Sequence, residues 1–157
     1  GQFNIFHAWG LETGDRDGYS DGPNHISGSY GLNSYLLSTP NRPNNWGSLH
    51  AIKQAPNVPM MIYALRFDLS PNANSAPAQN AFDAWNGNSD MARCCINRHR
   101  GFVCSSFADG SARTVGLKEV WTLKWSKNFD TMGPWTLAGN NGKSPNWPDW
   151  LQPYSDY

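Results

Sequence analysis

Charge is scarce in this chain. Charged residues make up only 15%, and 12 Lys+Arg balance 12 Asp+Glu to a formal net charge of zero. Such a chain exerts no bulk pull on nucleic acid or on an anionic membrane. Neither is expected as a partner, and a membrane contact is expected only if an apolar helix precedes Gly1. Long apolar runs are missing as well. No stretch approaches the roughly 18 apolar residues that a membrane-spanning helix needs, and nothing reads as a signal peptide. Gly1-Gln2-Phe3-Asn4 does not look like a translation start, so a mature or trimmed product is expected.

Catalytic and metal signatures are equally thin. There is no Cys-x-x-Cys pair and no Cys/His spacing that suits zinc. Ser105 and Ser106 lack a G-x-S-x-G elbow. His99 stands before a strand-like run and Asp109 at its far end. Six strand residues span roughly 20 Å, too far for a general base and its partner. The structural reading is that His99 pins a loop and Asp109-Gly110 makes a turn. Cys104 alternates with Val103 and Ser105, which suits a buried or disulfide-linked side chain better than a thiol nucleophile. No catalytic residue is assigned and no enzyme is expected. The chain also has no N-x-[ST] sequon despite 17 asparagines.

What is abundant is turn chemistry and aromatic surface. Gly, Pro, Asn and Ser together make about 37% of the chain, and all four favour turns and loops. Aromatics are 13%, with eight tryptophans, which rules out a disordered tail. At 157 residues the chain is one domain long and can bury a real core.

Ser29–Ser38 alternates with Tyr and Leu and reads as a strand. Val58–Phe67 is the most apolar run, bounded by Pro59 and Pro71, and reads as a buried central strand with Pro59 at its start. Residues 68–90 form a long polar excursion. Phe102–Phe107 and Ser111–Val115 flank Asp109-Gly110, a hairpin signal because both turn positions tolerate positive φ. Leu117, Val120, Trp121 and Trp125 share a helical stripe, predicting a short helix over 117–125. The expected architecture is α+β: an antiparallel sheet of about four strands, one short helix and long ordered loops, with residues 1–157 as a single domain. Residues 126–157 form an aromatic tail that packs on the sheet or on a neighbour.

Three further groups of residues are candidates. Cys94, Cys95 and Cys104 allow one disulfide, Cys95–Cys104 or Cys94–Cys104, in an oxidising compartment. Glu12, Asp15, Asp17 and Asp21 crowd one glycine-containing loop that could hold a structural calcium ion, although it is not an EF-hand. Trp46, Trp85 and Trp135 are candidate platforms for a sugar or a protein.

The C-terminal third resembles a known family. CINRHRG (95–101), FADGSARTVGLKEVWTLKW (107–125), GPWT (133–136) and WPDWLQPYSDY (147–157) look like the C-terminal part of prepilin-type proteins with an H-x(9)-D-G domain. GSYGLNSYL (28–36) and NVPMMIYA (57–64) sit upstream in the expected order. These proteins are similar to type II secretion pseudopilins and type IV pilins. The resemblance implies a globular head with an antiparallel sheet behind a leader and a long apolar helix, and no enzymatic activity. His99, Asp109 and Gly110 carry its motif. It implies an extracellular or cell-surface structural subunit whose partner is itself, in a homo-oligomeric filament. The alternatives are a secreted or surface carbohydrate- or protein-binding module, or a minor pseudopilin of a secretion machine. Without its helix, a head could assemble through an open sheet edge or by exchanging aromatic segments. Phe3, Phe6, Trp9, Trp135, Trp147, Trp150, Tyr154 and Tyr157 are the candidates for such contacts.

Overall fold

A computed structural model describes residues 9–12, 25–37, 42–84 and 89–157. In chain order the strands are β1 (Trp9–Glu12), β2 (His25–Gly28), β3 (Tyr30–Asn33), β4 (Pro59–Tyr63), β5 (Asp68–Leu69), β6 (Phe102–Phe107) and β7 (Ala112–Gly116). Among the described residues a single α-helix, α1 (Asp90–Cys94), precedes β6. β1 and β2 form an antiparallel pair, and the remaining strands form a five-stranded sheet in the order β5-β3-β4-β6-β7. The class is α+β, as expected, with one more strand in the main sheet. That sheet is mixed rather than antiparallel, because β5 runs parallel to β3.

The first half of the apolar run at 58–67 becomes the middle strand, Pro59–Tyr63, and the chain leaves the strand over 64–67. Pro59 opens β4 and faces Phe107 of β6, a place where its missing N–H costs the ladder little. A register shift between Pro59 and Met61 leaves Ile62 fully buried and Met61 42% exposed. In β6 the alternation is regular: Val103, Ser105 and Phe107 are buried, while Phe102, Cys104 and Ser106 face the other way. The sheet therefore has one core face and one outer face.

The core face carries a single cluster built from Ile62, Val103, Phe107, Val115, Trp121, Trp125 and Leu151, among others. Asn33 and Trp46 are buried beside it with their side-chain N–H groups paired to main-chain carbonyls. Asn33 Nδ2 donates to Pro59 O and to Trp125 O, both at 2.9 Å. Trp46 Nε1 reaches the same Trp125 carbonyl at 3.2 Å.

Two local expectations are corrected. The helix expected over 117–125 is only a 3-10 turn, Glu119–Trp121. Its stripe residues are buried, but so is Leu123, 1% exposed between them. With apolar side chains buried off the stripe as well, the segment does not divide into the two faces of a regular amphipathic helix, and Lys124 N is drawn off to Asn57 O at 2.8 Å. The hairpin turn is also different. Only Gly110 has positive φ, +84°. Gly110 N donates to Phe107 O, and Phe107 N to Ser111 O. This is a three-residue loop closed by a left-handed glycine rather than a two-residue turn.

The helix that does form starts on the last residue of the polar excursion. Ser89 caps α1 by accepting from Ala92 N at 3.0 Å. Asp90 in the first turn accepts from Ser70 N at 2.9 Å and pairs with Arg93 at 2.7 Å. Among the described residues, no helix is long and apolar enough to cross a membrane.

Candidate functional site: the hairpin, its flanks and the aromatic tail

The two ends of the H-x(9)-D-G motif sit at opposite ends of β6 and do not meet. Asp109 lies exposed at the hairpin tip, where Oδ1 accepts from Ser111 N at 2.9 Å and from Ser111 Oγ at 2.7 Å. Those hydrogen bonds hold its carboxyl below the usual range. Gly110 has no atom within 4 Å of where a Cβ would stand, so its role is its backbone angle alone. His99 is exposed, and its ring lies 4.8 Å from Tyr63. Tyr63 stacks on Tyr30 at 4.3 Å and carries the Arg98 guanidinium at 5.7 Å. His99 is thus the end of an aromatic row across three segments. A hydrogen bond with Tyr63, then burial, pushes the Tyr30 hydroxyl up to about 12.

The disulfide is not formed, and all three cysteines are free thiols. The reason is the alternation of β6. Cys104 is on the outer face, beside Phe102 and Ser106, whereas Cys94 and Cys95 are buried in the core cluster. Cys94 Sγ donates to Met91 O at 3.3 Å and Cys95 Sγ to Leu117 O at 3.4 Å. Burial pushes both thiols well up, so they are poor nucleophiles.

Asp15, Asp17 and Asp21 of the acidic loop lie outside the described residues, as do Phe3, Phe6 and Trp85. Glu12 and Trp9 are the two ends of β1. No group of three potential metal ligands gathers among the described residues. Trp46 is 4% exposed and cannot serve as a platform.

The aromatic tail packs on its own chain. Trp121, Trp135 and Trp147 form a triangle with ring centroids 5.3–6.3 Å apart. Trp150 Nε1 donates to Ala78 O at 2.8 Å. Tyr154 Oη accepts from Asn97 Nδ2 at 2.7 Å. Tyr157 lies against Gly116, where any side chain would collide with its ring. Four of the five tail candidates for intermolecular contact are therefore buried or half-buried at home, and Tyr157 stays 40% exposed.

The clasp that holds this tail was not evident from sequence. Lys118, 2% exposed, donates to Tyr154 O at 2.7 Å and to Asp156 Oδ1 at 2.9 Å. Its ammonium lies 5.2 Å from the centroid of the Trp147 ring. Trp147 Nε1 donates to the same Asp156 oxygen at 2.7 Å. Burial alone would raise the Asp156 carboxyl, but its hydrogen bonds with Lys118, Ser144 and Trp147 outweigh it and the net shift is downward. A lysine between Leu117 and Glu119 gives no sequence signal that separates a buried pair from a solvated charge.

The outer face of the sheet is open. Tyr30, Met61, Cys104, Ser106, Ala112 and Thr114 line a shallow groove of about 560 Å³. Phe102, 45% exposed, belongs to the same side of β6. The chain has no match among protein-family models, curated proteins or solved structures.

Proposed function

We propose that the chain is the head of a non-enzymatic, pilin-like structural subunit that builds an extracellular homopolymeric filament. One observation carries this reading. The segments that resemble the prepilin-type H-x(9)-D-G family are joined into one unit: the β6–β7 hairpin, the turn after it and the tail clasped by Lys118. They hold each other in place rather than surrounding a reactive group, which suits a scaffold. The near-zero charge keeps repulsion between identical subunits small. Heterologous contacts that do not close would extend such subunits into a fibre.

Negative-stain microscopy of a surface-shear preparation, with gold-labelled antibody against this head, tests the reading. Filaments labelled along their length are expected. Isolated monomers alone, at high concentration, would overturn it. The outer-face groove favours one second reading, a surface module that binds a carbohydrate or a protein. A glycan array and a pull-down on polysaccharide distinguish the two.

A further inference from the structure

β7 is the last strand of its sheet, with β6 on one side and no other strand paired to it among the described residues. An edge of this kind is a template for another chain. The hydrogen bonds of the hairpin fix which groups point outward. Phe107 N donates to Ser111 O and Leu117 N to Gly101 O. With the register Val103↔Val115 and Ser105↔Arg113, the odd-numbered residues of β7 bond to β6. The main-chain groups of Ala112, Thr114 and Gly116 are turned away from it.

Two of those outward groups are already taken. Arg113 Nη1 donates to Thr114 O at 3.2 Å, and Glu119 Oε2 accepts from Gly116 N at 3.0 Å. The two side chains are joined to each other by an ion pair at 2.6 Å. Arg113 is also held by the ring of Phe107, 4.5 Å beneath its guanidinium. Tyr157 covers Gly116 itself. Burial, then the charge of Glu119, raises the Tyr157 hydroxyl, and Arg113 partly opposes this, as expected of three neighbouring groups.

We infer that Arg113 and Glu119 form a clip that keeps the β7 edge from pairing with β7 of a second copy of this chain. The occupant follows from the register. A two-fold antiparallel pairing centred on Thr114 needs Thr114 O to accept from Thr114 N of the other copy. It also needs Gly116 N to donate to Ala112 O of that copy. Those are the two groups the clip occupies. With zero formal net charge, little long-range repulsion would otherwise keep two copies apart. The opposite edge is guarded differently: β5 has only two residues, and Asp68 is paired with Arg66 at 2.9 Å. This inference stands whether or not the chain builds filaments, and it directs any filament contact away from the β7 edge.

The test uses sedimentation velocity and amide hydrogen exchange on the purified chain. In the unaltered protein, the Gly116 amide should exchange about tenfold more slowly than the Thr114 amide, although both face away from β6. Equal exchange at the two positions would overturn the clip without any variant. Glu119→Ala should lower the dimer dissociation constant by about tenfold or more, the worth of two restored main-chain hydrogen bonds. Adding Thr114→Pro should abolish that dimer, which needs the Thr114 N–H, and should leave the hairpin folded, because that N–H is not used by β6. Association that persists in the double variant, or a folded Glu119→Ala protein that sediments as the unaltered chain does, would refute the inference. A microscopy result without filaments bears on the proposed function alone.

Discussion

On one face of the sheet, Val103, Phe107 and Val115 are fully buried in a cluster with Trp121, Trp125 and Leu151. On the other, Tyr30, Met61 and Phe102 are 37%, 42% and 45% exposed. Both faces are apolar by composition, so hydrophobicity alone does not decide which one becomes the core. Connectivity does. The chain after β7 turns at Glu119–Trp121 and its tail returns to the first face, held there by Lys118. The outer face receives no comparable cover among the described residues.

The comparison can be broken in order of expected effect. Trp121→Ala should be the most damaging change. It removes a 1% exposed indole, its hydrogen bond to Ser75 O and one corner of the triangle. A loss of about 3–5 kcal/mol is expected in chemical denaturation. Lys118→Ala should follow at about 3 kcal/mol, since it leaves Asp156 and Tyr154 O without their buried partner. The clasp also has a pH sign. The Asp156 carboxyl is lowered in the fold, so its contribution is present above the unfolded value of about 3.9 and is lost as pH falls below it. Acid titration of tryptophan fluorescence should show the tail loosening below about pH 4, and Lys118→Ala should remove that step.

The thiols provide the next contrast. Cys104 should be alkylated in the native protein, and Cys94 and Cys95 only in denaturant, as read by mass spectrometry. Both buried thiols titrate above their usual range. Their stabilising contribution is therefore complete below the unfolded value of about 8.5 and declines as pH rises past it. The smallest effect should come from the outer face. Met61→Ala should change stability by only about 0.5 kcal/mol. A cost comparable to that of Trp121→Ala would mean that this face is covered in solution.

Parts of this fold could be read from the chain because one local signal dominated. Pro59 and Pro71 around the most apolar run of the chain, 58–67, placed β4 at the centre. The Asp109-Gly110 pair placed the hairpin. The pattern failed where burial depended on distant partners. Asn33 and Lys118 look like surface residues, and the carbonyls of Pro59, Trp125 and Tyr154, with the Asp156 carboxylate, make their burial tolerable. α1 has five residues, too few to show a helical period. β5 is set by pairing with β3 rather than by its own two residues. The motif residues His99, Asp109 and Gly110 were legible as a spacing, while the Arg113–Glu119 clip was not, because it depends on which β7 carbonyls face outward.

The long-range side-chain hydrogen bonds also impose an order of events on folding. Asn33 reaches Trp125 O across 92 positions of sequence, and Trp150 reaches Ala78 O across 72. Loops of this length are closed late, after local hairpins have formed. During synthesis, the early strands must wait with their apolar faces uncovered until residues 147–157 emerge. The kinetics of this chain should therefore be set by its C-terminal end. A factor that shields the nascent chain would matter most just before Trp147 appears.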